Sequence, residues 1–466
     1  MKTVIIPKLQ HTDFSTGFRY HLANGLIYLG LSLILMTAGC TTGNKGNDLK
    51  LWYAQPADAS VADGPNGWKN DPEWLKALPV GNGSIGGMVF GGVDKERIQL
   101  NEKSLWSGSP TDNNNPDAYR YLDSIRKDLF TGRYQEAHDL ALKTQICKGF
   151  GSGQGNGATV PFGCYQTLGD LWLDFGTKAS FSDYKRELNI ANGIARVQYT
   201  QDGVTYTREV FSSYPDQVLV IHITANKKGS ISFTGSLSRP ERFNTLTENG
   251  QLVMTGQMEN GIDGKGMRWM TRLKVINKGG TIDFKGNTVV VDQANAVTIL
   301  LTAATDYLLK PPTYTGNDFV NVTAQNLLKA EEKGYAELYR RHQKDFQNLM
   351  GRVQFDITPD ENRSNLPTDK RLADFKERQN DKGLIELYFQ YGRYLLVSSS
   401  RSGSLPANLQ GLWANSIQTP WNCDYHTDIN VQMNYWPVDV TNLAECQSPL
   451  TELIESLTGP GSRTAQ

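Results

Sequence analysis

An excess of charge is the first thing this sequence lacks. Its 466 residues carry 47 basic and 48 acidic side chains, a formal net charge of −1. Without a basic field there is no electrostatic footprint for nucleic acid, and nucleic acid is not expected among its partners. Cysteine is scarce too, with five in all. Beyond Cys40 they are Cys147, Cys164, Cys423 and Cys446, none at paired metal-ligand spacing. No metal and no organic cofactor is expected. Cys147 and Cys164 flank a glycine-rich loop and could pair in an oxidising compartment. Buried free thiols are the plainer reading of the four.

Long hydrophobic runs are missing except at 26–36, which is too short for a membrane span. Lys2, Lys8 and Arg19 precede that run, and Thr37-Ala38-Gly39-Cys40 follows it. This is the build of a signal peptide. The cysteine after Ala38-Gly39 resembles a bacterial lipobox, so Cys40 is the expected lipidation site. The expectation is a signal peptide over 1–40, a polar tether over 41–50, and export to the periplasm or cell envelope with membrane attachment through a lipid anchor. Plain secretion and an uncleaved anchor are the alternatives.

What the chain has in quantity is glycine, 45 residues, and tyrosine, 20 residues. From 51 to about 305 short apolar runs alternate with Gly, Asn and Asp. Such runs at 171–175, 195–199, 205–207, 218–223 and 289–291 predict many strands and a large sandwich. Residues 119–142 have helical spacing and predict one inserted helical segment. GNGSIG at 81–86 matches a dinucleotide-loop pattern, but a strand-like MVFGG follows it. Tight turns and close backbone packing explain those glycines better. GFGSGQGNG at 149–157 lacks a Gly-Lys-Ser/Thr ending and reads as a mobile loop.

The pattern changes after Pro311-Pro312. Residues 323–350 are helical, with His342 inside the apolar stripe in a structural role. RVQFDI at 352–357 reads as a short strand, and 384–398 as a helix. Residues 442–457 read as one helix opened by an Asn442…Glu445 box, burying Leu443, Cys446, Leu450, Leu453, Ile454 and Leu457. Between the last two helices lies the most unusual stretch, 404–437. It sets Trp413, Trp421, Tyr425, Tyr435 and Trp436 among Asn408, Gln410, Asn415, Asn422, Asp424, His426, Asp428, Asn430, Gln432 and Asn434. Flat rings interleaved with amides suit a sugar site, since sugars offer C–H faces and hydroxyls. Amides capping helix ends at an aromatic-rich junction are the bland alternative.

LPVGNGSIGGMVFGG (78–92), ERIQLNEKSLWSG (96–108), YQTLGDLWLDF (165–175), YTREVFSSYPDQV (206–218) and the 404–437 stretch, in that order, resemble glycoside hydrolase family 95. The resemblance implies a multidomain β + α chain: a large N-terminal antiparallel β-sandwich (51–310), a helical linker (311–380) and an incomplete (α/α)6 barrel (381–466). It implies an inverting α-L-fucosidase acting on terminal, α-1,2-linked L-fucose. The partners would be fucosylated oligosaccharides or glycoprotein glycans. The family's general acid and catalytic Asp would lie beyond Gln466, so this chain is expected to be truncated and inactive alone. A noncatalytic carbohydrate-binding relic and an α-L-galactosidase are the alternatives.

The family's amide pair, which steadies the attacking water, falls by position on Asp428 and Asn430. In an extended segment, residues two apart point the same way and both could reach one water. Asp428 departs from the expected Asn; it could hold water, act as base, or merely cap the next helix. His426 aligns with a histidine that contacts fucose; L-galactose-preferring members carry threonine. Its bland alternative is a satisfied buried histidine. Asn408, Trp413 and Trp421 are weaker candidates for lining the pocket.

Overall fold

The structure is a computed structural model that describes residues 49–59, 73–152, 155–176, 180–357 and 363–465. The expected signal peptide, Cys40 and nearly all of the tether lie outside the described residues. Sixteen strands occur among the described residues. The first eight are β1 (Lys50–Tyr53), β2 (Leu78–Gly81), β3 (Ile85–Val89), β4 (Lys95–Glu102), β5 (Gly169–Asp174), β6 (Phe181–Asn189), β7 (Ile194–Gln201) and β8 (Val204–Ser213). The rest are β9 (Val218–Ala225), β10 (Ile231–Ser238), β11 (Phe243–Glu248), β12 (Gln251–Gln257), β13 (Arg268–Lys278), β14 (Thr281–Lys285), β15 (Thr288–Ala294) and β16 (Ala296–Thr305). They form two antiparallel sheets, in the orders β1-β6-β7-β8-β9-β16-β13-β12-β11 and β14-β15-β10-β5-β4-β3-β2.

The period of two explains the core. Leu219, Ile221 and Ile223 of β9, with Val297, Ile299 and Leu301 of β16, face the inter-sheet core. The opposite positions, Val218, Val220 and Leu300, join Phe211 under a long helix, α3 below. Both strands are therefore buried on both faces and read as nearly unbroken apolar runs.

The insert is two short helices, α1 (Leu122–Phe130) and α2 (Tyr134–Thr144), parted at Gly132 (φ +78). Helix α3 (Phe319–Met350) breaks at Gly334 (φ +70) and lies on the outer face of the nine-stranded sheet. Leu327, Ala330 and Leu338 supply its apolar stripe. His342 is fully buried there, stacked on Phe211 at 4.7 Å, and burial pulls its pKa down to about 4. It is a neutral core ring. Asp216 ties Arg341 (2.9 Å) and Lys333 (3.6 Å) of the helix to the sheet. Then come α4 (Thr368–Arg378), α5 (Lys382–Ser399), α6 (Asn430–Tyr435), α7 (Pro437–Val440) and α8 (Ser448–Ala465).

Two expectations fail locally. RVQFDI is not a strand, because side chains of α5 satisfy its backbone: Gln390 Nε2 donates to Val353 O (2.9 Å) and Ile357 N donates to Glu386 Oε1 (2.7 Å). Residues 442–457 are not one capped helix either. Asn442 has φ +57, a 3-10 turn spans Ala444–Gln447, and Glu445 accepts two 2.8 Å bonds from Arg352 instead of closing a box. Leu443, Cys446 and Leu450 are buried, but Ile454 (56%) and Leu457 (48%) stay exposed. The four cysteines among the described residues are free; Cys164, Cys423 and Cys446 are buried and Cys147 is exposed.

The hairpin β2–β3 meets the helices through its glycines. A Cβ at Gly81 would sit 2.5 Å from Ser398 O, and one at Gly86 2.9 Å from Leu412. Gly83 (φ +86) donates its N–H to Ser398 O at 2.8 Å. These glycines permit backbone-to-backbone contact between β and α parts.

Candidate functional site

The connection from α5 to α6 is long, and much of it is bolted to the seven-stranded sheet. Asn101 Nδ2 donates to Ala414 O (2.9 Å), Tyr165 OH to Leu412 O (2.6 Å) and Thr167 N to Ser416 O (3.1 Å). Trp413 belongs to this framework. It is 5% exposed, donates Nε1 to Val80 O (3.0 Å) and packs with Trp74, Met88, Phe90 and Leu412. The sequence-based expectation that it lines a pocket is corrected: its ring is spent on the seam between sheet and helices. Asn408 is also buried. Its Oδ1 accepts from Gln410 N (3.0 Å) and Cys423 Sγ (3.2 Å), and its carbonyl accepts from Asn434 Nδ2 (3.0 Å), while its Nδ2 has no partner. It braces the site from behind.

Next the backbone is strained. Trp421 (φ +47), Asn422 (φ +56) and Cys423 (φ +53) are three successive left-handed residues, none glycine. Each such residue costs on the order of 1–3 kcal/mol and persists only where its surroundings enforce it. Asn422 shows how. Its Oδ1 accepts from Gly157 N (3.0 Å) and Gln418 Nε2 (2.8 Å), its Nδ2 donates to Ser152 O (2.7 Å), and its carbonyl accepts from Tyr165 N (3.0 Å). The described ends of the glycine-rich loop are thus each tied to Asn422. A Cβ at Gly157 would lie 2.6 Å from Asn422 Oδ1. The turn throws Trp421 outward, to 69% exposure, and tucks Cys423 inward.

The following residues present the polar groups. Tyr425 stacks on Trp106 (centroids 5.5 Å apart) and donates its hydroxyl to Pro406 O (3.1 Å), forming a fixed wall. His426 Nδ1 is in hydrogen-bond contact with Asp424 Oδ1, and the two side chains are 38% and 16% exposed. Burial raises the Asp424 carboxyl above its ordinary range, and His426 partly offsets this. With Nδ1 engaged, Nε2 is the nitrogen left for a ligand. Asp424 as the orienting partner was not foreseen; the spacing Asp-x-His was its only sequence signal.

Asp428 and Asn430 are exposed and lie close in the chain to His426, but the local geometry differs from expectation. Residues 427–429 form a turn and Asn430 is the first residue of α6, so the extended-segment rule does not apply. Asp428 is not the helix cap; Ile429 (φ +100) holds that position. Gln432 closes the turn, with Oε1 accepting from Ile429 N (3.2 Å) and Nε2 donating to Thr427 O. His426, Asp428, Asn430 and Trp421 thus share one short segment that reaches solvent, while Trp413 and Asn408 are buried. Among the described residues, no group of three or more His, Cys, Asp or Glu is placed to hold a metal ion. No helix among them is long and apolar enough to cross a membrane.

Comparison with known proteins fits this division of the chain. A family model described as "Glycosyl hydrolase family 65, N-terminal domain" matches residues 51–310, and the "Glycosyl hydrolase family 95 catalytic domain" matches residues 334–466. "Alpha-L-fucosidase 2" of Arabidopsis thaliana is 34% identical over 423 residues, covering 84% of this chain and 48% of the relative. "Probable alpha-fucosidase A" of Aspergillus niger is 31% identical over 84% of this chain and 49% of its own length. The protein of the same description from Aspergillus oryzae is 28% identical, over 84% and 55%. The chain spans about half the length of the curated relatives it matches. The two-sheet β region and the helices that follow are the β-sandwich and part of the α/α barrel of this architecture. The chain belongs to the glycoside hydrolases, with a family 65-type N-terminal domain followed by a region that matches the family 95 catalytic domain.

Proposed function

We propose that this chain carries the sugar-gripping part of an α-L-fucosidase that releases terminal, α-1,2-linked L-fucose with inversion. The observation that carries the reading is the solvent-facing His426, aimed by Asp424 and backed by the Tyr425–Trp106 stack. Nε2 would bond a ring hydroxyl. Fucose lacks the 6-hydroxyl of L-galactose, and a bulky imidazole would crowd that group. The amide of Asn430 would hold the water that attacks the anomeric carbon, adding no charge to the site. The water's proton passes to a base, and a general acid protonates the departing glycan oxygen. Those two carboxyls are assigned to no residue of this chain.

The test is hydrolysis of 2′-fucosyllactose and of an α-L-galactoside by the chain continued in frame past Gln466. Turnover of the fucoside is expected to exceed that of the galactoside, and His426→Thr should narrow the gap. Equal or better turnover of the galactoside would sink the reading. Asn430→Ala is expected to add about 2–3 kcal/mol to the barrier; a near-normal rate removes it from the mechanism.

We also propose the domain limits 51–310, 311–380 and 381–466, and export with a lipid on Cys40. Labelled palmitate should enter the wild-type protein in a bacterial host and not Cys40→Ala. Equal labelling of both rejects that anchor.

A further inference from the structure

The seven-stranded sheet turns one face away from the other sheet, and only part of that face is covered. On β4 the alternate residues Lys95, Arg97, Gln99 and Asn101 share it. Gln99 and Asn101 are roofed by the connection after α5, donating to Ala414 O at 2.5 and 2.9 Å. Lys95, about 20 Å along the strand from Asn101, is exposed. A hollow of about 630 Å³ opens there. That is within the ~300–1,000 Å³ of small-molecule sites. Lys95, Asp174, Thr234 and Val290 are successive partners across β4, β5, β10 and β15, and all four line it. Trp172 and Ser236 line it from the next row on the same face. Trp172 is half-buried, and its Nε1 donates to Ser238 Oγ (3.1 Å), which fixes the ring. The Lys95 ammonium sits 4.5 Å from the ring centre. A contact of that kind at an exposed site is worth only about 0.5–1 kcal/mol, so a ligand can displace this flexible side chain at small cost.

The polar groups around the ring select the ligand. Asp174 Oδ1 accepts from Gly176 N (2.9 Å) and Asp292 Oδ1 from Ser232 Oγ (2.9 Å). Both residues are exposed, which leaves Oδ2 of each for a donor from outside. Two carboxylates against one ammonium disfavour an anion. The electron-rich ring already carries the Lys95 ammonium, so an external cation gains little there. A neutral ligand with an apolar face and many hydroxyls fits both the ring and its surroundings, and a sugar chain is such a ligand. We propose that this hollow is a second, noncatalytic carbohydrate site that takes a neutral oligosaccharide, one sugar ring lying on Trp172 and its hydroxyls meeting Asp174, Asp292, Thr234 and Ser236. It would hold the protein on a glycan-bearing surface without taking part in bond cleavage, and it does not depend on the role proposed for His426.

Three neutral, fucose-free tetrasaccharides are the probes: lacto-N-tetraose, cellotetraose and maltotetraose, each titrated calorimetrically into the 466-residue chain. At least one is expected to bind. Trp172→Ala should weaken that binding about tenfold or more. Thr234→Tyr, which fills the hollow from an exposed strand position, should do the same without touching the packing beneath Trp172. Tetragalacturonate, an anionic chain of equal length, should bind about tenfold more weakly than the best neutral probe. His426→Ala should leave the neutral probe's affinity unchanged. The proposal is overturned if none of the three probes binds, if Thr234→Tyr with native circular dichroism binds as wild type does, or if tetragalacturonate binds equally well. It is overturned too if His426→Ala weakens the neutral probe as much as the platform variants do, since the sugar would then sit at the turn. Wild-type affinity in His426→Ala with loss in Thr234→Tyr upholds the second site whatever the turn proves to bind.

Discussion

At the scale of single residues, the site depends on groups held against their own preferences. Asn422 shows this most clearly, since its side chain completes the hydrogen bonding of a left-handed segment and of the glycine loop at once. Asn422→Ala should cost about 1–3 kcal/mol in urea unfolding, because buried Gly157 N loses its partner and Ser152 O its bond; a loss below about 0.5 kcal/mol would show that the turn holds itself. Glu102 and Lys103 make a second case. Burial lifts the carboxyl to about 7 and lowers the ammonium to about 7. A raised acid pKa favours folding fully below the unfolded value and loses that contribution as pH climbs through the folded one. A lowered lysine pKa favours folding fully above its unfolded value and loses that as pH falls through the folded one. Stability should therefore fall between about pH 4.5 and 7, by something on the order of 3 kcal/mol, and recover above 7 by a somewhat larger amount, since the lysine shift is the larger. Glu102→Gln should flatten the falling limb alone; parallel pH profiles for variant and wild type would refute the shift. Little of this was readable from the sequence. His426 and Asn430 stood out through the family resemblance, but Trp413 did not declare itself as framework. A tryptophan among amides looks the same whether it faces a sugar or a seam, and only its bond to Val80 decides.

At the scale of elements, the β2–β3 hairpin is the contact surface for the helices, and its glycines are fitted to it. Gly81→Ala would drive a methyl into Ser398 O, a backbone atom that cannot swing aside. A destabilisation of about 1–3 kcal/mol is expected, with faster hydrogen exchange at the Gly83 N–H that bonds the same carbonyl. Unchanged exchange would mean that the seam repacks without strain. The strands were legible because alternation and turn residues mark them locally. RVQFDI carries the same local signal, yet a strand also needs a free neighbouring edge, and α5 side chains took its backbone groups first. The 442–457 helix failed for a similar reason: Glu445 found Arg352, a partner 93 residues away, that no local box predicts.

At the scale of the molecule, the order of sandwich, linker and barrel segment could be read from a change of hydrophobic period, because that order depends on composition over hundreds of residues. Which helix faces lack cover could not. Trp436 (62%), Val440 (84%), Ile454 and Leu457 are exposed on α6–α8 and their junctions. The chain should therefore self-associate at micromolar concentration, and Ile454→Lys with Leu457→Lys should shift sedimentation toward monomer. Identical sedimentation of the two would show that this face is inert. The seating of α3 has a further consequence. Because Leu327, Ala330 and Leu338 roof Phe211, Val218, Val220 and Leu300, severing the polypeptide near residue 311 would bare a greasy patch on the larger sheet. Anyone hoping to dissect this chain into an autonomous β module should make the cut after Met350, so that its roof travels with it.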